Sequence, residues 1–187
     1  MGDSPLIRST FVRNHVRALE RERGEAGVGE LARRFGSLSF LSARYVPVSE
    51  ESRMLECIVE MTKPGLDEQE LAREAGRLHF KNFSESSLYR IITTVFGDDM
   101  KLLLLQGGAI AKRVFRGIEV RSENLGERVV RITFFGLDIP LEHFEGFFEA
   151  WMKHSGFAGT VSASAPGTGI YEYTLAWNEP HVEVSYG

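Results

Sequence analysis

The side chains with most chemistry to offer in this 187-residue chain are five histidines, one cysteine and a set of alternating aromatics. The histidines are His15, His79, His143, His154 and His181. His143 and His154 fall on one predicted helix, about 16 Å apart along its axis, so they cannot share a metal ion. His79 lies on the inward stripe of another predicted helix, beside Phe80 and Phe83. A neutral imidazole there can donate or accept one hydrogen bond inside a core or a pocket. We expect no metal and no cofactor. Cys57 is the single cysteine, which rules out an internal disulfide and fits a reducing compartment. Its apolar helical surroundings predict a buried, inert thiol.

The aromatics offer two readings. Tyr171, Tyr173 and Trp177 alternate along the last predicted strand, and Phe134 sits on a neighbouring one. They can simply fill a close-packed core. They can also wall a pocket opposite the helix of His79, Phe80 and Phe83, because Tyr and Trp join an apolar body to a polar handle. The predicted ligand-binding set is therefore His79, Phe80, Phe83, Tyr171, Tyr173 and Trp177.

Other motifs reduce to structure. Gly27-Val28-Gly29-Glu30-Leu31-Ala32 matches a dinucleotide-binding pattern but follows a helix, not a strand, and reads as a helix–helix turn. Ser84, Ser86 and Ser87 read as helix caps, and no Gly-x-Ser-x-Gly elbow occurs. Glu50-Glu51 and Asp98-Asp99 stand at helix starts, where the dipole favours acids. No complete catalytic constellation appears, so no enzyme is expected.

The elements that must position these residues centre on Arg116 to Trp177, which reads strand, strand, helix, strand, strand. Ile118 and Val120, then Val130, Ile132 and Phe134, alternate with polar residues. A turn is expected at Asn124-Leu125-Gly126. After Pro140, Leu141, Phe144, Phe147, Phe148, Trp151 and Met152 recur at helical spacing, and Gly156 closes that helix. Phe157, Val161 and Ala163 alternate before a turn at residues 166–169. Six helices are expected upstream. The first ends near Gly24, a short second one ends at Gly36, and Leu38 to Pro47 is irregular. Ser49, Asp67 and Ser84 are the expected caps of the third, fourth and fifth. Ala72, Ala75 and Gly76 allow close helix approach, Leu88, Ile91, Ile92 and Val95 face inward, and Gly107-Gly108 bends or breaks the sixth helix. The fold class is α+β, an N-terminal helical part packed on a four-stranded, mostly antiparallel sheet. Residues 1–187 read as one domain, with 6–115 helical, 116–177 the sheet part and 178–187 a tail in which Val182 and Val184 suggest a short strand.

Apolar residues make up 43% of the chain, enough for a full core. No run long enough for a membrane span and no leader-like start are seen, and a cytoplasmic protein is expected. The net charge of −4 does not favour nucleic acid. The charge is uneven, since residues 1–44 hold eight Arg against five acids. Arg13, Arg17 and Arg21 share one helix face and form the predicted partner-binding surface, for an acidic protein or a second copy.

Four segments carry a resemblance. They are Arg44-Tyr45-Val46-Pro47, Ala72-Arg73-Glu74-Ala75-Gly76-Arg77, Phe115-Arg116-Gly117-Ile118-Glu119-Val120 and Tyr171-Glu172-Tyr173-Thr174-Leu175-Ala176-Trp177. With the order of elements, they resemble an uncharacterised myxobacterial paralogous family. The wider fold is similar to the haem nitric-oxide/oxygen-binding domains, the 4-vinyl reductase domains and the TRAPP subunits. The resemblance implies a ligand-sensing or adaptor fold. Two departures count against a metal centre or haem. The stretch from Ser164 to Tyr171 lacks the Cys of the 4-vinyl reductase-like domains, and Arg131-Ile132-Thr133-Phe134-Phe135 stands where haem-binding relatives carry Tyr-x-Ser-x-Arg. The first expectation is a non-enzymatic regulatory module binding a small apolar or amphipathic ligand. The alternative is a protein–protein adaptor or self-associating module, and a haem-based gas sensor comes third.

Overall fold

In the computed structural model, residues 4–97 and 99–178 are described; His181 and the tail strand expected around Val182 and Val184 lie outside them. The chain opens with a short strand β1 (Leu6–Arg8) and a long helix α1 (Ser9–Phe35). Gly24, at φ 64°, kinks α1 where two helices were expected, so the Gly27–Ala32 stretch is helical and the turn lies three residues earlier. A 3-10 turn over Ser39–Ser42 and strand β2 (Tyr45–Pro47) occupy the stretch expected to be irregular.

Helix α2 (Val48–Glu60) begins one residue before the expected Ser49 cap. Helix α3 (Glu68–Ser84) is capped as expected, with the Asp67 carboxylate accepting from the Glu70 N–H at 2.9 Å. Helix α4 (Ser87–Phe96) is capped by Ser86, not Ser84, whose hydroxyl donates back to the Lys81 carbonyl. The inward face of α4 also differs from the one expected. Ile92 is buried and Tyr89 packs on Phe80 and Phe83, while Ile91 and Val95, expected inward, are exposed. Helix α5 (Met100–Leu105) is capped by Asp99, and α6 (Gly107–Val114) follows after a break at Gln106.

Strand β3 (Phe115–Arg116) joins β1 and β2 in a small antiparallel sheet of order β2-β1-β3, which the sequence reading missed. Its strands have two or three residues each, too short for alternation to register. The large sheet contains β4 (Glu119–Gly126), β5 (Val129–Phe135), β6 (Gly159–Gly167) and β7 (Ile170–Trp177) in the order β4-β5-β7-β6, all antiparallel. The β4–β5 turn falls at Glu127-Arg128, two residues beyond the Asn124–Gly126 turn expected, because Asn124 and Gly126 form an irregularity within the ladder. Helix α7 (Leu141–His154) crosses the inner face of this sheet and ends at Gly156, φ 76°.

The joint that positions the interior is the crossing of α3 and α7. A Cβ on Gly76 would lie 1.7 Å from the His143 carbonyl oxygen, and one on Gly146 would lie 2.0 Å from that of Arg73. Two helices approach this closely only where both lack side chains at the contact. Ion pairs flank it, Arg73–Glu145 at 2.8 Å and Arg77–Glu149 at 2.8 Å. One contiguous core joins Val12 and Leu19 of α1, Phe80 of α3, Leu103 and Leu104 of α5, Ile132 and Phe134 of β5, Phe144 to Trp151 of α7 and Tyr173 of β7.

Candidate functional site

Two features adjoin each other inside the helix–sheet junction, an apolar cavity and a buried polar chain, and His79 belongs to both. The cavity measures about 80 Å³. Phe83 and His79 of α3, Leu103 and Leu104 of α5, Ala111 and Val114 of α6, Ile132 and Phe134 of β5 and the Phe144, Phe147, Phe148 and Trp151 rings of α7 line it. These positions follow from periodicity. The inward stripes of α5, α6 and α7 converge over the β5 residues that alternate inward. The wall is almost wholly carbon. The indole Nε1–H of Trp151 is itself buried and finds no acceptor among the described residues.

The predicted ligand-binding residues separate. His79 and Phe83 reach the cavity, while Phe80, Tyr171, Tyr173 and Trp177 are not among its walls. Phe80 is buried behind it, stacked on Trp151 at 5.8 Å and edge-on to Phe147 at 5.3 Å. Tyr173 is fully buried against Phe134, Phe144 and Phe148, and its hydroxyl donates to the Leu141 carbonyl at 3.0 Å. Burial raises its phenol above the ordinary value. Trp177 packs near Phe157 at the far end of β7, and Tyr171 is half-buried. The strand face is as read, but α7 lies between it and α3, so β7 meets α7 where α3 was expected.

The polar chain runs through four helices. Asn82 Nδ2 lies 2.9 Å from His15 Nδ1, and His15 Nε2 lies 2.9 Å from Glu51 Oε1. His79 Nε2 faces the same carboxylate oxygen at 3.9 Å. On its other side His79 Nδ1 meets His143 Nε2 at 3.0 Å, His143 Nδ1 meets Ser52 Oγ at 3.2 Å, and Ser52 donates to Glu56 at 3.3 Å. Only Glu56 is not buried. Burial drives His15 down to about 3 and His79 down to about 4, and holds His143 well below the usual imidazole value. Burial likewise raises the Glu51 carboxyl, with His79 pulling in the opposite direction.

Sequence reasoning missed His15, Glu51, Ser52 and His143 as a group. A signal was present, since each interrupts an otherwise apolar stripe at helical spacing: His15 between Val12 and Leu19, Glu51 and Ser52 between Val48 and Leu55, His143 one turn before Phe147. Glu51, expected as an exposed dipole-stabilising acid, is 1% exposed. Cys57 is partly buried against the core where full burial was expected, and that burial pushes its thiol up. The Arg face is partly committed within the chain. Arg13 donates to the Leu41 carbonyl at 2.8 Å, Arg21 pairs with Glu85 at 2.6 Å, and Arg17 is exposed.

Comparison with known proteins places this geometry in context. A family model described as "Protein of unknown function (DUF2378)" matches residues 6–178, and the chain belongs to that family. A search of curated proteins finds no match. Among solved structures, the chain is similar to an oxygen-binding H-NOX domain related to soluble guanylate cyclases, with a TM-score of 0.62, 17% identity and coverage of 96% of this chain and 100% of that one. It is also similar to an H-NOX structure solved for the mechanism of H-NOX activation, at a TM-score of 0.65, 16% identity and coverage of 92% and 97%. An H-NOX variant from T. tengcongensis matches at a TM-score of 0.60 with 16% identity, covering 93% and 99%. At these identities the likeness shows a shared fold.

Proposed function

We propose that this member of the DUF2378 family is a regulatory, non-catalytic module of the cytoplasm that binds a small apolar molecule in the cavity beside His79. The carrying observation is the cavity itself, an apolar space at the helix–sheet junction. The shared fold supports the reading, because the H-NOX structures that the chain resembles include one described as oxygen-binding. The size limits the guest. At about 80 Å³ the space is roughly half of the ~150 Å³ apolar cavity known to take benzene. It falls well short of the roughly 300 Å³ at which sites for drug-sized ligands begin. A diatomic gas or a molecule of very few carbons fits as the walls stand.

Haem does not fit these walls. Among the described residues they hold no Arg, Lys or Tyr to receive propionates, and the one imidazole, His79, turns Nδ1 to His143 and Nε2 toward Glu51. Purified protein is expected to show no haem band near roughly 400 nm.

Xenon, a neutral probe of small apolar cavities, tests the proposal. Under xenon pressure, methyl resonances of Leu103, Leu104, Val114 and Ile132 should shift together in a saturable way. Native mass spectrometry beside the denatured mass should show any guest retained from the cell. If xenon leaves those methyls unmoved and no adduct is carried, the reading falls and the adaptor alternative takes its place.

A further inference from the structure

The geometry points to a second site, which adjoins the cavity and shares His79 with it: a divalent transition-metal site of the zinc or non-haem iron class, held by His15 Nε2, Glu51 Oε1 and His79 Nε2. The three donors come from α1, α2 and α3, are all buried, and lie within 4.8 Å of one another. Two edges of the triangle are 2.9 Å and 3.9 Å long. Ligands bonded at about 2.0–2.2 Å in tetrahedral array stand about 3.3 Å apart. Small side-chain rotations therefore bring all three into the ligating range. Two imidazoles and one carboxylate, with a further position left for water, form a donor set used by zinc and by iron(II).

The hydrogen bonds around the donors argue for a cation more strongly than the distances do. Ser52 has a single hydroxyl proton and gives it to Glu56. Its oxygen can then only accept, so His143 Nδ1 carries the proton that it donates to Ser52. His143 Nε2 is consequently the acceptor, and His79 Nδ1 the donor. That leaves His79 Nε2 as a bare lone pair aimed at a carboxylate oxygen 3.9 Å away. With Glu51 ionised, two acceptors thus face each other in a buried space; a proton on the carboxyl or a cation between the two resolves the arrangement, and metal titration separates these outcomes. Outer-shell support exists for both imidazoles. His79 donates Nδ1–H to His143, and His15 has Asn82 at Nδ1. With its present amide orientation Asn82 Oδ1 is buried without a donor, so the surroundings do not enforce that orientation. The reversed amide accepts from His15 Nδ1–H and frees Nε2 for the metal, the outer-shell pattern of metal-bound histidine.

The test uses the full chain, stripped with chelator and titrated with zinc chloride or cobalt(II) chloride. One equivalent per chain should bind, raise the melting temperature, and with cobalt give visible ligand-field bands of a low-coordinate N/O site. X-ray absorption of the zinc-loaded protein should count two imidazoles and no sulfur. Glu51→Gln, nearly isosteric, should weaken zinc at least tenfold. No stoichiometric uptake, a sulfur-containing or single-imidazole shell, or unchanged affinity in a folded Glu51→Gln protein would each overturn the site. Should Glu51→Gln fail to fold, the absorption spectrum of the unaltered chain decides alone.

Discussion

His15, His79 and His143 make the metal-free protein acid-sensitive in a definite window. In the unfolded chain each takes up a proton as the pH falls below about 6.5. In the folded chain burial delays this to about 3 for His15 and about 4 for His79, and holds His143 well below normal. Their stabilisation is therefore complete above pH 6.5 and is lost as pH falls toward 4. Glu51 has the opposite sign, since its raised folded value lets the native state take up a proton first and offsets part of the loss. Glu56, partly buried, is raised by burial as well and adds to that offset, while Asn82 and Ser52 do not titrate, so the three imidazoles still outnumber the two carboxyls. Each net proton costs about 1.4 kcal/mol per pH unit. In chelator-treated protein the urea midpoint should drop clearly between pH 7 and pH 5. A flat or rising midpoint would mean that the imidazoles are not buried neutral.

At the scale of elements, the α3–α7 crossing is the most vulnerable point. Gly76→Ala would force a methyl against the His143 carbonyl and push the helices apart. Overpacking usually costs about 1–3 kcal/mol, and backbone cannot yield as a side chain does, so about 3 kcal/mol or more is expected by denaturant unfolding. Gly24→Ala should cost less, because φ 64° is strained for alanine but no atom stands in the way. Trp151 stacks between Phe80 at 5.8 Å and Phe148 at 6.4 Å and also walls the cavity. Trp151→Ala should cost about 3–5 kcal/mol. A loss under about 1 kcal/mol would show that the α7 face is misassigned. Much of this was legible beforehand. The stripe from Leu141 to Met152 gave α7, and the small residues of α3 gave the close approach. The small sheet was not legible, nor was α4's face, where Leu88, Ile91, Ile92 and Val95 suit two orientations. The site was legible in part. His79 and Phe83 could be read from one helix, but which partner helix faces them depends on a crossing between segments some seventy residues apart, set by Gly146.

At the scale of the whole molecule, the N-terminal Arg face needs a narrower test than reversal of all three charges. Arg13 ties α1 to the 3-10 turn through Leu41, so Arg13→Glu should destabilise the fold itself. Arg17 is exposed, and Arg17→Glu should change stability by less than about 0.5 kcal/mol. Any salt-dependent association that Arg17→Glu weakens in light scattering then belongs to the surface and not to unfolding.

The bare backbone contact at Gly76 and Gly146 also bears on the order in which the protein assembles. Helix α3 belongs to the N-terminal helical half and α7 to the sheet half, and at the centre of their seam backbone meets backbone, with the Arg73–Glu145 pair and the Phe80–Trp151 stack beside it. It closes only when both helices are complete and a long loop has been drawn in, an entropically slow step. Each half on its own would leave His79 or His143 without its partner. The two halves are thus one cooperative unit, and amide protons of α3 and α7 should exchange together, at the rate of global unfolding.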